Sequence, residues 1–293
     1  MSMINDLRKY EPLYVIGHKK PDVDTVFSSY LLSSILNYLG IKSYPCVLSE
    51  GYELNKYNKN IIDDYLEYNP IIIDVGDIKK YNFVLVDHND PIQSIGDNSN
   101  IVFGMDHHKK LKNIENILFS DLCSNSLFIY DYFKEVYPFS EKEKALVMIA
   151  TLTDTLFFKT DRYKSKDKEL VSELRIEVDS NLLLDKYFIE TDLSKGLESI
   201  IEKSDRDFSY LGISFSSSVI YTKSEKEDLR ESYRTLILNG SKNHLGIWSN
   251  LENNKTYVFF KANNKTFEKT YAKIASRAAT VMPDIINYLE KNR

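Results

Sequence analysis

The sequence predicts an α/β protein: an N-terminal domain built on a mostly parallel sheet, followed by a second, smaller α+β domain. Three observations predict it. In the first half, apolar runs of strand length alternate with segments whose apolar residues recur at helical spacing, the pattern of βαβ units whose sheet is covered on both faces. From about residue 186 that alternation is replaced by a hairpin-like pattern with polar breaks. The chain has 293 residues, 43% hydrophobic and 28% charged, which suits one large or two medium domains and excludes a disordered or fibrous polypeptide.

Taken in order, Leu13 to Ile16 reads as a buried strand, and Phe27, Leu31, Ile35 and Leu39 place one apolar stripe along a helix that Gly40 stops. Strand-length runs follow at Ile41 to Leu48, Ile71 to Ile73, Phe83 to Val86 and Ile101 to Phe103, each bounded by Asn, Asp, Pro or Gly. Helical patterns lie at Asn60 to Tyr68, at Leu127 to Val136, and around Ala145 to Ala150. In a parallel sheet of this kind ligands bind beyond the carboxyl ends of the strands. The first domain is expected over 1–187 and a linker over 188–195, where Asp192 to Gly196 is polar and ends in a breaker. In the second domain, 196–293, Leu197, Ile200 and Ile201 mark a helix, and Ile213 to Tyr221 alternates as a strand. Gly246 to Leu251 and Thr256 to Lys261 flank a turn at Glu252 to Lys255, and Pro283 opens a final helix carrying Ile285, Ile286 and Leu289.

No stretch approaches the roughly 18 uncharged apolar residues of a membrane span, and the first residues lack a signal peptide's apolar centre, so a cytoplasmic protein with no membrane partner is expected. Cys46 and Cys123 show no zinc-type pairing and read as reduced, small apolar fillers. A net charge of −5 gives no basic stripe for nucleic acid and, taken alone, argues against an anionic ligand. Of five histidines, four (His18, His88, His107 and His108) fall within the first 108 residues beside aspartates, whereas His244 reads as a surface or packing residue.

Those four sit at three strand ends. Gly17-His18-Lys19-Lys20-Pro21-Asp22-Val23-Asp24 joins a buried strand to an amphipathic helix, so His18, Asp22 and Asp24 can converge. For one aspartate alone, helix capping would suffice as an explanation. Val86-Asp87-His88-Asn89-Asp90 and Met105-Asp106-His107-His108-Lys109 end two further strands. Together they bring several carboxylates and imidazoles to one rim, where unscreened anions would repel. Hard divalent cations resolve this, and one carboxylate can bridge two ions about 3.5–4 Å apart. Three unrelated turns that happen to use Asp and His are the bland alternative, weakened by four of five histidines falling in them. Asp154, in Thr153-Asp154-Thr155, gains interest only from the other three clusters.

His18-x-x-Pro21-Asp22-x-Asp24, Asp87-His88-Asn89, Asp106-His107-His108-Lys109 and Asp154-Thr155-Leu156, in this order, resemble the DHH phosphoesterase superfamily and are most similar to its family II, manganese-dependent inorganic pyrophosphatases. The resemblance implies hydrolysis of inorganic pyrophosphate to two phosphates by a water that two Mn²⁺ ions activate, with Co²⁺ or Mg²⁺ as substitutes. It places His18, Asp22 and Asp87 on one ion and Asp24, Asp87, His107 and Asp154 on the other, with Asp87 as the bridge. It makes His108 the catalytic group that contacts substrate and protonates the leaving phosphate. Arg277 then binds phosphate together with Arg206 or, alternatively, Lys203. His88 and Asp106 are left to orient the ligands. A second domain carrying those cations is expected to close over the first, and the resemblance suggests a homodimer through an edge strand.

Two departures touch substrate binding: Ser276-Arg277-Ala278-Ala279 replaces the family's Ser-Arg-Lys-Lys, and Thr160-Asp161-Arg162-Tyr163-Lys164 replaces a Ser/Pro/Thr-rich loop. They leave open a related phosphoesterase acting on short polyphosphate or a nucleotide. A ligand sensor without turnover is a third reading, disfavoured because every presumed metal ligand is present.

Overall fold

The computed structural model describes residues 2–50, 52–96, 100–110, 114–188, 190–203 and 206–292. The chain forms two compact units, Met1–Phe158 with Tyr163–Phe188, and Lys159–Arg162 with Ile189–Arg293.

The first unit opens with a short helix α1 (Ser2–Asn5) and then lays down β1 (Leu13–Ile16), α2 (Val23–Tyr38), β2 (Ser43–Leu48), α3 (Lys56–Tyr65), β3 (Ile71–Ile73), β4 (Asn82–Val86), β5 (Ile101–Asp106) and β6 (Ile117–Phe119). The helices α4 (Asn125–Phe133), α5 (Glu141–Asp154), α6 (Ser165–Leu174) and α7 (Ser180–Tyr187) complete it. Its six strands are all parallel, in the order β3-β2-β1-β4-β5-β6. From β1 the chain builds outward through β2 and β3, then returns to add β4, β5 and β6 on the other side. The connections after β1 and β4 therefore diverge, leaving a crevice at their carboxyl ends, where ligands settle in such sheets. The sheet is held by apolar strands: Val15, Phe83, Val84, Leu85 and Phe103 are fully buried.

Helix α2 starts where Asp22 caps it, its carboxylate accepting from the Thr25 N–H at 2.9 Å, and it stops before Gly40, whose φ of 75° suits a residue without a side chain. The helix expected at Asn60 to Tyr68 begins earlier, because Asn55 caps it through the Asn58 N–H, and it ends at Tyr65. β6, a three-residue edge strand, and the helices α6 and α7 went unanticipated.

The second unit contains α8 (Leu197–Glu202), β7 (Arg206–Tyr210), β8 (Ile213–Thr222), α9 (Glu227–Asn239), β9 (His244–Asn250), β10 (Lys255–Ala262), β11 (Lys265–Tyr271) and α10 (Met282–Lys291). Its sheet runs β11-β10-β9-β8-β7, antiparallel except for β8 and β9, which α9 joins in parallel. Phe215, Leu245, Val258, Phe260, Val281 and Ile285 form one core, and Ile220, Tyr233, Ile237 and Trp248 another. The expected turn at 252–255 joins β9 to β10. The stretch 188–195 groups with the second unit from residue 189 and is tied to it, the Thr191 N–H donating to Tyr221 O and the Tyr221 N–H to Thr191 Oγ1. Residues 159–162 also belong to this unit, although the first domain was expected to run unbroken to 187. Among the described residues no helix is long and apolar enough to cross a membrane, and Cys46 and Cys123 are free and buried.

Candidate metal centre

His18 follows β1, Asp87 follows β4, and Asp106 to His108 end β5, so the three neighbouring strands at the crevice each deliver part of one cluster. Asp22 and Asp24 arrive on the head of α2, and Asp154 on the last turn of α5. A carboxylate at a helix C-terminus opposes the dipole, so the position of Asp154 is not explained by helix stability.

Asp87 lies at the centre. Its Oδ2 is 3.5 Å from His18 Nε2, which lies 3.8 Å from Asp22 Oδ2. Its Oδ1 is 3.2 Å from His107 Nε2, which also faces Asp154 Oδ2 at 3.5 Å and Asp24 Oδ2 at 3.9 Å. The two carboxylate oxygens thus face different histidines, each with its own aspartates. His18, Asp22 and Asp87 form one group whose ligand atoms lie within 4.8 Å of one another; Asp24, His107 and Asp154 form a second, and Asp87, His107 and His108 a third.

Several local devices hold this arrangement. Asp87 has φ 62°, a left-handed setting uncommon for a residue with a side chain and frequent at functional sites. Thr25 donates its hydroxyl to Asp87 Oδ2, and Gly17 lets Thr25 approach: a Cβ at Gly17 would stand 2.0 Å from Thr25 Cγ2. The Asp24 carboxylate receives the Asn125 and Ser126 N–H groups at 2.6 and 2.8 Å, so it occupies the N-terminus of α4, a natural anion seat. After Asp154, Leu156, Phe157 and Phe158 all take positive φ, a strained exit that carries the chain out of α5.

The electrostatics are those of crowded carboxylates. Burial and the Asp87 charge push Asp24 up to about 6. Burial works the same way on Asp87, but the neighbouring His107, His18 and His108 rings outweigh it and hold Asp87 well below the usual carboxylate range. Burial opposes a charged His18, yet Asp22 and Asp87 prevail and raise it to about 10. The residues suit divalent cations on two counts. The buried Asp87 Oδ1 has no hydrogen-bond partner. The His107 Nδ1 sits 3.0 Å from Leu122 O, and since a carbonyl only accepts, Nδ1 carries the proton and Nε2 presents its lone pair towards the carboxylates.

Asp106 does not join the ligand groups. Its Oδ1 accepts from the His108 N–H at 3.1 Å and lies 2.9 Å from His108 Nδ1, while Asn89 Nδ2 donates to its Oδ2. Asp106 therefore aims His108, which is half exposed. His88 was expected to orient a ligand, and here the structure differs: its Nδ1 lies 2.9 Å from Val86 O and its Nε2 2.7 Å from Ser94 Oγ, so it braces the 86–94 turn and no candidate ligand side chain. Burial pushes its ring down to about 4, keeping it neutral. Thr25, Asn89 and the head of α4 went unassigned in the sequence. Each had a local signal: adjacency to Asp24, membership of Asp87-His88-Asn89, and Ser124 in a capping position.

Of the expected phosphate contacts, Arg277 Nη1 donates to Ser217 Oγ at 3.1 Å. The β7–β8 register sets Arg206 opposite that same Ser217, though the Arg206 side chain lies outside the described residues, as does that of Ala278. Lys203 is exposed at the end of α8.

The DHH family, N-terminal domain, matches residues 12–158. This chain belongs to the DHH family. A manganese-dependent inorganic pyrophosphatase of Methanothrix thermoacetophila is 29% identical over 169 residues, 55% of this chain and 53% of that protein, so the chain spans about half the length of this DHH relative. Another, from Methanocaldococcus jannaschii, is 25% identical over 252 residues, 78% of each chain. The DHH fold is likewise similar to the crystal structure of a Methanococcus jannaschii protein assigned to the family II inorganic pyrophosphatases: TM-score 0.65, 18% identity, 94% of this chain and 98% of that one.

Proposed function

We propose that this chain is a manganese-dependent hydrolase of inorganic pyrophosphate, binding two divalent ions in groups that share Asp87. The observation that carries the reading is Asp87 itself, with one oxygen towards His18 and the other, unbonded though buried, towards His107. DHH membership and the names of the pyrophosphatase relatives support it. His18 and Asp22 would hold one ion and Asp24, His107 and Asp154 the other, with Co²⁺ or Mg²⁺ as substitutes. Bound ions of this kind neutralise phosphate oxygens and lower the pKa of a water towards 7.

The remaining steps belong to the chain. Asp106 would accept a hydrogen bond from the Nδ1–H of His108 and so fix the ring. In the imidazolium form the second proton, on Nε2, is then the one free for delivery to the oxygen of the departing phosphate, leaving the neutral ring with its Nδ1–H still on Asp106. Asn89 holds the far oxygen of Asp106. Arg277, with Arg206 or Lys203, would hold the terminal oxygens, arginine being suited to two parallel contacts. With the family's lysine pair replaced by Ala278 and Ala279, a short polyphosphate is the second reading.

The test is phosphate release with Mn²⁺, Co²⁺ or Mg²⁺ from pyrophosphate, tripolyphosphate and a dinucleotide in parallel. Pyrophosphate should be the preferred substrate and Mn²⁺ the preferred ion. Preference for the dinucleotide, or binding without turnover, would overturn the proposal.

A further inference from the structure

The turn that presents Arg277 is held from an unexpected place. Lys159–Arg162 groups with the second unit although the chain on either side of it belongs to the first. Thr160 bridges to Ile274, and the Asp161 N–H donates to Ile274 O. From there the Asp161 carboxylate spans the whole turn: Oδ1 accepts the Ser276 N–H at 3.1 Å, Oδ2 accepts the Thr280 hydroxyl, and Lys273 Nζ lies 2.7 Å away. Ser276 and Thr280 bracket Arg277. Within the turn, Ser276 Oγ accepts from the Ala279 N–H, and Ser276 O from the N–H groups of Thr280 and Val281. Burial works against a charged Asp161, yet Lys273, Thr280 and the Ser276 N–H hold its carboxyl below the usual range, so it is an anion when it makes these bonds.

We infer that Asp161 is a positioning residue: it fixes the Ser276–Thr280 turn so that the Arg277 guanidinium is set against Ser217 to receive a phosphate oxygen. The inference rests on the phosphate-binding role proposed for Arg277. Two facts give the position weight. Ala278 and Ala279 supply no charge, so Arg277 is the cation that 276–279 contributes, and its setting decides more of the binding. Moreover, Asp161 follows Asp154 by seven residues, across the strained Leu156–Phe158 exit, so the clamp and a candidate metal ligand share one short piece of backbone.

Full-length protein with Asp161→Ala, Asp161→Asn, Arg277→Ala and the Asp161→Ala/Arg277→Ala pair should be compared for kcat and KM on pyrophosphate with Mn²⁺. Asp161→Ala should raise KM about tenfold, the scale of one hydrogen bond to a charged group, with kcat nearly unchanged. Asp161→Asn keeps an acceptor for the Ser276 N–H and should recover part of the loss. In the Arg277→Ala background the Asp161→Ala effect should vanish, since its route is gone. An unchanged KM, or an equal rise without Arg277, overturns the inference. Amide exchange in 273–281 separates it from the functional proposal. Wild-type protein inactive on pyrophosphate sinks the substrate reading, whereas unchanged exchange in Asp161→Ala sinks the clamp, whatever the substrate.

Discussion

Gly17→Ala offers the sharpest check of how the centre is assembled. The new Cβ would sit 2.0 Å from Thr25 Cγ2 and 3.3 Å from Thr25 Cβ. Methyl groups in contact stand about 3.5–4.0 Å apart, so the head of α2 must withdraw by about 1.5 Å or Thr25 must leave its rotamer. Either response reaches the metal groups, because the Thr25 hydroxyl bonds Asp87 Oδ2 and its N–H caps on Asp22, while Asp24 is the adjacent residue. Overpacking of this kind costs about 1–3 kcal/mol of stability. Misplacement by about 1 Å is worth about 100-fold in rate. We therefore expect a modestly lowered melting temperature, weaker Mn²⁺ binding by calorimetry and a loss of about two orders of magnitude in kcat/KM for pyrophosphate. Adding Thr25→Ser removes Cγ2 but keeps the hydroxyl, and should restore most of both. If Gly17→Ala is as active as wild type, or if the serine rescues nothing, the close approach is not what sets the distances around Asp87.

Asp87→Asn should retain the far-ultraviolet spectrum but lose metal-dependent phosphate release, and near-normal turnover would sink the shared-ligand reading. Mn²⁺ at about 100 times its dissociation constant should stabilise wild type by about 2.7 kcal/mol in urea titrations, a gain that Asp87→Asn should forfeit. Asp106→Asn leaves His108 in place but mismatches a donor on Nδ1, so kcat should fall about 100-fold with little change in KM; a pure KM effect would contradict the aiming role. His244, which sits between Ser216 Oγ at 2.6 Å and Ser218 Oγ at 2.7 Å, is pushed down to about 4 by burial and the Lys242 charge. The unfolded ring titrates near 6.5, so this contribution is whole above that pH and shrinks as pH falls towards 4. The difference amounts to about 3 kcal/mol. His244→Gln should flatten the acid limb of a urea-midpoint profile, and an unchanged limb would refute the assignment.

Much of the first unit was legible because its strands are apolar runs beside Gly, Pro or Asp, signals contained within ten residues or fewer. β1 through β5 are of this type. β11 was not, since it carries an exposed, charged face and owes its existence to pairing with β10. β6 is too short to show a period, and α9, with Tyr233 and Ile237 buried, shows its face only once the sheet beneath it is known. In the site, the candidate ligand types were readable and His88 was set apart from them as an orienting residue, but which groups its ring holds was not readable. What separates it is the direction of its ring, which is spent on Val86 and Ser94.

By itself the sequence determined that Asp and His would stand at strand ends in an α/β chain, because capping, turn chemistry and apolar periodicity act over a few residues. Only the tertiary structure decided which of them meet. Thr25 reaches Asp87 across 62 positions and Asp24 reaches Ser126 across 102. Such pairs are chosen by strand order and by the burial of whole faces. The same reasoning holds for Asp161, which reads as a charged loop residue until the fold carries it 115 positions along to the Ser276 N–H.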